Sequence, residues 1–198
     1  MKVNFVEVNM HMCEALSYYF KEEIESGEVA VHNTDLETFL EENKHIDTIV
    51  TAGNSFGIMD GGLDFFVRRY YRNKGEDIES IVRYDILSEF NGEQPVGTAM
   101  IVFPNLQLPK LVHTVTMRYP MRLYDISHIR DCMRLSLFQA YENFGKNITM
   151  PSFGAGTGSN DYDLCAKYMK QGYDNFYNCK MPNNWEEVNE KILREVKS

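Results

Sequence analysis

Two glycine-rich turns, each placed after a short apolar run and before a segment of helical spacing, constrain this chain more than any other feature. The first is AGNSFGIMDGG (residues 52–62), which follows the run IDTIV. The second is SFGAGTGSND (residues 152–161), which follows NITMP. In open α/β sheets ligands sit beyond the carboxyl ends of the strands, and both turns fall at such ends. Glycine lets a backbone curl so that successive amides face one anion, and lets that anion approach without a Cβ clash. A helix N-terminus beyond each loop adds amide donors and a favourable dipole. Two such loops facing each other fit a diphosphate.

The remaining pattern alternates strands with helices. Val3 to Met10 reads as a strand of period two whose phase shifts once, between Phe5 and Val6. Met12 to Ile24 has helical spacing, with Gly27 as its stop. VAVHN (29–33) is a second strand, and Asp35 is placed to cap the helical segment after it. Ile46, Ile49 and Val50 suit the middle of a sheet. Helices follow Gly62 and around IESIVRYDIL. The strands TAMIVF and LVHTVTM come next, then a helix from Ile126 to Phe144, the strand NITMP, a helix from Asp161 to Tyr173, and a last helix from Asn183 or Asn184 to Ser198. This order predicts an α/β fold, a three-layer α/β/α sandwich, as one domain over residues 1–198.

Composition narrows the function. With 29 acidic against 20 basic residues the net charge is −9, which opposes non-specific binding to nucleic acid yet leaves local amides free to hold a small anion. No run approaches the roughly 18 apolar residues of a membrane span, so no membrane association is expected. Cys13, Cys132, Cys165 and Cys179 form no CxxC pair and the five histidines form no ligand pattern. These features predict reduced thiols, a cytoplasmic protein and no metal site or cofactor. The second loop is not a Walker loop, because no GK[ST] follows. Nor is it a dinucleotide fingerprint, because its third glycine is misplaced.

Taken together, the motifs resemble the macrodomain family. TAGNSFGIMDGGLDFFV is similar to the family's first motif, in which a strand ends in N-A-A-N before a glycine run and V-D. Asn54 stands at that motif's last asparagine, and Asp64 lies ten residues later, at the family's aspartate spacing. PSFGAGTGSND, from Pro151, is similar to the phosphate-binding loop. GEQPVGTAMIVFP and LVHTVTMRYPM resemble a branch common in bacteria and their phages. The resemblance runs from Val29 to Tyr173.

The resemblance implies a mixed central sheet and a partner that is ADP-ribose or an ADP-ribosylated substrate. It implies that Asp35 accepts a hydrogen bond from the adenine amino group, unless it is only a helix cap. Asn54 would bond the distal ribose, or serve as a turn former. Gly61, Gly62 and Leu63 would present amides to that ribose and the diphosphate. Ser152, Phe153, Gly154, Ala155, Gly156, Thr157 and Gly158 would wrap the diphosphate, with Phe153 either a cleft wall or, as its place near the strand end favours, core packing. His113 reads as a core histidine. The implied activity is hydrolysis of an ADP-ribosyl ester, on a macromolecule or on ADP-ribose 1″-phosphate, with Asp64 and Asn54 catalytic. The alternative is a non-catalytic nucleotide-binding module.

This sequence also departs from the pattern. Thr51 replaces the first asparagine, and Met59 and Asp60 replace two glycines, which narrows the loop and adds charge. Gly158 stands where many hydrolytic members carry an aromatic residue. The missing carboxylate pair after the first loop disfavours a poly(ADP-ribose) glycohydrolase.

Overall fold

The computed structural model describes residues 1–159 and 161–197. Six strands form one sheet in the order β2-β1-β6-β3-β5-β4. They are β1 (Lys2–Glu7), β2 (Val29–Asn33), β3 (Thr48–Asn54), β4 (Ala99–Val102), β5 (Lys110–Met117) and β6 (Asn147–Met150). All neighbours are parallel except β4, which runs antiparallel to β5. The sheet is therefore mixed, and the carboxyl ends of β2, β1, β6 and β3 lie side by side along one edge.

Eight helices complete the described chain: α1 (Met10–Tyr19), α2 (Lys21–Ser26), α3 (Leu36–Glu42), α4 (Gly62–Arg72), α5 (Ile78–Phe90), α6 (Ile129–Glu142), α7 (Tyr162–Tyr177) and α8 (Trp185–Lys197). Two apolar cores, one on each face of the sheet, make the three layers. On one face Val3, Phe5, Val50, Val112 and Ile148 pack against Leu16 of α1, Leu137 of α6 and Met169 of α7. On the other, Val6, Ile49, Met100 and Leu111 pack against Phe39 of α3, Val67 of α4 and Val82 of α5.

This double coverage explains the apparent phase shift in β1. Phe5 enters one core and Val6 the other, so both must be apolar and no register changes. The helix expected from Met12 to Ile24 is two helices, broken at Phe20, whose ring is buried against Phe5 at 5.0 Å between centroids. Phe20 leaves helical backbone geometry to reach that contact, and Gly27, at φ 82°, ends the second helix. The expected caps form: the Asp35 side chain accepts from the Thr38 amide at 2.9 Å, and Asn184 accepts from the Glu187 amide at 3.0 Å. Ser198, expected in the last helix, lies outside the described residues. Among the described residues no helix is long and apolar enough to cross a membrane.

Candidate functional site

A cleft of about 570 Å³ opens along the edge where β2, β1, β6 and β3 end. Adjacency of β6 and β3 sets the two glycine-rich loops beside each other, since both loops leave parallel neighbours in the same direction. Of the residues singled out in the sequence, Asp35, Asn54, Gly61, Gly62, Leu63 and Asp64 line this cleft. Ser152, Gly154, Ala155, Gly156 and Thr157 line it from the other loop.

The first loop is held by its own side chains. Asn54 Oδ1 accepts from the Phe56 amide at 3.1 Å and the Ile58 amide at 3.3 Å, while Asn54 Nδ2 donates to the Ile58 carbonyl at 2.8 Å. The turn-forming role of Asn54 is thus present in the fold. Met59 does not narrow the loop, because its side chain is fully buried in the core beside α4 and α5. Its amide donates to Glu79 Oε1 at 3.0 Å, and Arg68 holds the other Glu79 oxygen at 2.8 Å. Asp60 does face the cleft and is exposed.

Helix α4 begins in the cleft. Its N-cap is Gly61, which has no side chain to bond the first amides, so the first turn keeps donors and a positive dipole end for an anion. Gly62 has φ 55°, a left-handed conformation that glycine adopts freely. The second helix end behaves differently. Asp161 caps α7 by accepting from the Leu164 amide at 3.0 Å, and no residue of α7 lines the cleft. Only one of the two expected helix N-termini therefore reaches the site.

In the second loop Gly154 has φ 77° and lies against Ile129 and Cys165, where a Cβ would sit 3.3 Å from Ile129. Gly156 has open space around its Cβ position. Phe153 is not a cleft wall: it is fully buried in the core, and its amide donates to Met169 Sδ at 3.3 Å. Gly158 does not line the cleft either. Its carbonyl accepts from the Leu123 amide at 2.8 Å, and a Cβ there would lie 2.9 Å from the Gly154 carbonyl oxygen. It buttresses the loop from behind, and this loop conformation has no room for a side chain at that position.

Asp64 is the chemically unusual group. It lies in the first turn of α4, only 7% exposed, and its Oδ1 has no hydrogen-bond partner. Burial pushes its carboxyl up to about 7, because desolvation disfavours the charged form. His113 lies in β5 beneath Gly53, fully buried, with Nδ1 2.8 Å from Gln94 Oε1. Burial pushes its imidazole down to about 4, which fits the core role read from its apolar strand.

Glu7, which no motif marked, also lines the cleft. Its Oε1 accepts from the Asn9 amide at 2.9 Å and its Oε2 from the Ser152 hydroxyl. The cleft lining carries four carboxylates, Glu7, Asp35, Asp60 and Asp64, and among the described residues no lysine, arginine or histidine.

Comparison with known proteins agrees with this architecture. An uncharacterized protein of Aquifex aeolicus (strain VF5) is 28% identical over 126 residues, which are 62% of this chain and 70% of that protein. The macrodomain of Mycobacterium tuberculosis DarG shares the fold at a TM-score of 0.54 and 16% identity, over 65% of this chain and 82% of its own. The Oceanobacillus iheyensis macrodomain, solved with ADP, superposes at 0.56 and 19% identity, over 77% of this chain and 85% of its own. It has also been solved, as a variant, with ADPR. The Macro domain family model matches residues 50–169, from the middle of β3 through the first half of α7, so that both glycine-rich loops fall inside it. With more than half of the chain matched, this protein belongs to the Macro domain family.

Proposed function

We propose that residues 1–198 form one domain that binds ADP-ribose in this cleft and hydrolyses ADP-ribosyl esters at the distal ribose. One observation carries the binding: a single cleft gathers both glycine-rich loops, the uncapped start of α4 and the carboxylate of Asp35. That arrangement supplies amide donors for a diphosphate in the middle and a carboxylate acceptor for an adenine amino group at one end. A similar fold solved with ADP and with ADPR supports the same ligand class.

Asp64 carries the proposed chemistry. Asp64 lines the cleft, and a carboxyl there that ionises near neutrality is suited to hold a water and take its proton as the water attacks. The diphosphate, held by the loops, fixes the scissile bond against that water and can assist as a base. Asn54 contributes by holding the loop that leads to α4.

A second reading, a module that binds without turnover, is favoured by one observation. The Asn54 side chain is bonded to its own loop through both of its polar atoms, which leaves Asp64 with little catalytic company. Turnover of mono-ADP-ribosylated protein and of ADP-ribose 1″-phosphate separates the two. The enzyme reading predicts release of ADP-ribose from at least one substrate and loss of that release in Asp64→Asn. Binding of ADP-ribose with no turnover of either substrate leaves the module.

A further inference from the structure

Glu7 takes no part in holding the diphosphate or in the hydrolysis, yet its position in the cleft is tightly determined. It ends β1, which lies between β2 and β6. Its register partner in β2 is Asn33, two residues before Asp35. On the other side Phe5 pairs with Met150, so Ser152 continues β6 beside Glu7 and donates its hydroxyl to it. Glu7 thus stands one strand spacing, about 4.8 Å, from the strand leading to Asp35 and the same from the strand leading to the second loop.

Charge along the cleft follows the strand order. Asp35 and Glu7 lie at one end, and Asp60 and Asp64 at the other. Between them residues 151–157 carry no charge. A ligand matching this pattern keeps its phosphates in the middle and presents hydroxyl or amino donors at its ends. With the diphosphate at the second loop and the base at Asp35, the span over Glu7 is that of the ribose joining them. A carboxylate beside a ribose accepts from its hydroxyls and repels a phosphate placed on them. Glu7 keeps capacity for this, because two carboxylate oxygens offer about four lone-pair sites and two are taken by Asn9 and Ser152.

We propose that Glu7 is a specificity-determining residue, which accepts a hydroxyl of the adenosine ribose and excludes nucleotides phosphorylated on that ribose. The proposal rests on the ADP-ribose reading of the cleft. A purely structural role is separable from it. Glutamine keeps an acceptor for the Asn9 amide and can donate its NH2 to the Ser152 hydroxyl oxygen, but it loses the charge, whereas Ser152→Ala loses the contact and keeps the charge.

Calorimetry with ADP-ribose and with its 2′-phosphorylated form tests it on the parent protein, Glu7→Gln and Ser152→Ala. The readout is the ratio of the two dissociation constants within each protein. The expected ratio is at least about tenfold against the 2′-phosphate in the parent. It falls by about threefold or more in Glu7→Gln, and it shrinks with added salt in the parent as screening weakens the repulsion. Ser152→Ala keeps the parent's ratio. A parent ratio near one overturns the proposal, as does a large ratio that Glu7→Gln retains. Failure of the parent to bind either nucleotide overturns the ADP-ribose reading and this proposal with it; tight ADP-ribose binding with no discrimination overturns this proposal alone.

Discussion

Replacing Asp64 by asparagine removes a charge without changing the volume of the side chain, and the cost of that charge follows from the structure. An aspartate in an unfolded chain ionises near pH 3.9, whereas burial holds Asp64 protonated up to about 7. A folded-state value above the unfolded one means that the protonated form stabilises the fold. That stability is fully present below about pH 4 and is lost as the pH climbs to about 7. Tenfold in acidity is about 1.4 kcal/mol, so the whole loss approaches about 4 kcal/mol, of which roughly a third is already gone at pH 5. Asparagine titrates nothing. The stability of Asp64→Asn relative to the parent is therefore expected to rise by about 2–3 kcal/mol between about pH 5 and about pH 8. Urea unfolding of both proteins at the two pH values measures it. Other titrating groups, including the buried His113, are common to both proteins and cancel in the comparison. A difference that stays constant with pH refutes the claim that Asp64 is a desolvated carboxyl in the cleft.

Two further outcomes follow from contacts around the site. Gly53→Ala places a methyl 2.4 Å from His113 Nε2, in a ring that Gln94 holds from its other nitrogen, and is expected to destabilise the fold by about 1–3 kcal/mol; an unchanged melting temperature contradicts this close packing of Gly53 on His113. Because no cationic side chain lines the cleft among the described residues, ADP-ribose affinity is expected not to weaken as salt rises from about 50 mM to about 500 mM. A tenfold loss over that range in a calorimetric titration points to lysine or arginine contacts elsewhere.

Local chemistry made much of this fold legible in the sequence. VAVHN is a strand over those same residues, Gly27 stops a helix in the left-handed region, and Asp35 and Asn184 cap theirs. Each of these depends on a few adjacent residues. The misreadings depend on tertiary contacts instead. The break at Phe20 comes from its packing against Phe5 and Tyr173, which nothing in the local spacing announces. The run through Phe5 and Val6 looked like a shift of phase because alternation is lost wherever both faces of a strand are covered.

The cleft was legible to a similar depth. Motif spacing picked out eleven of the residues that line it, but it could not say which loop residues turn inward. Phe153 enters the core and Gly158 packs behind Gly154, although both belong to the loop motif. Met59 in the first loop turns to the core beside α5, whereas its neighbour Asp60 turns to the cleft. Glu7 escaped notice because a polar residue near a strand end fits simple alternation. Only the pairing of β1 with β6, distant in sequence, brings it to Ser152.

Gly156 tests most directly whether the two loops form one ADP-ribose site. Its Cβ position has open space, so a side chain fits without disturbing the loop, and the residue lines the cleft. Calorimetry is to be run with ADP-ribose and AMP on the parent protein and on Gly156→Glu, with the melting temperature of both recorded. The parent is expected to bind ADP-ribose at micromolar concentration, about −8 kcal/mol, and AMP far more weakly. Gly156→Glu is expected to melt with the parent and to lose ADP-ribose binding through bulk and like-charge repulsion. Equal affinity of the parent for AMP and ADP-ribose, or full ADP-ribose binding by a folded Gly156→Glu, contradicts the two-loop site.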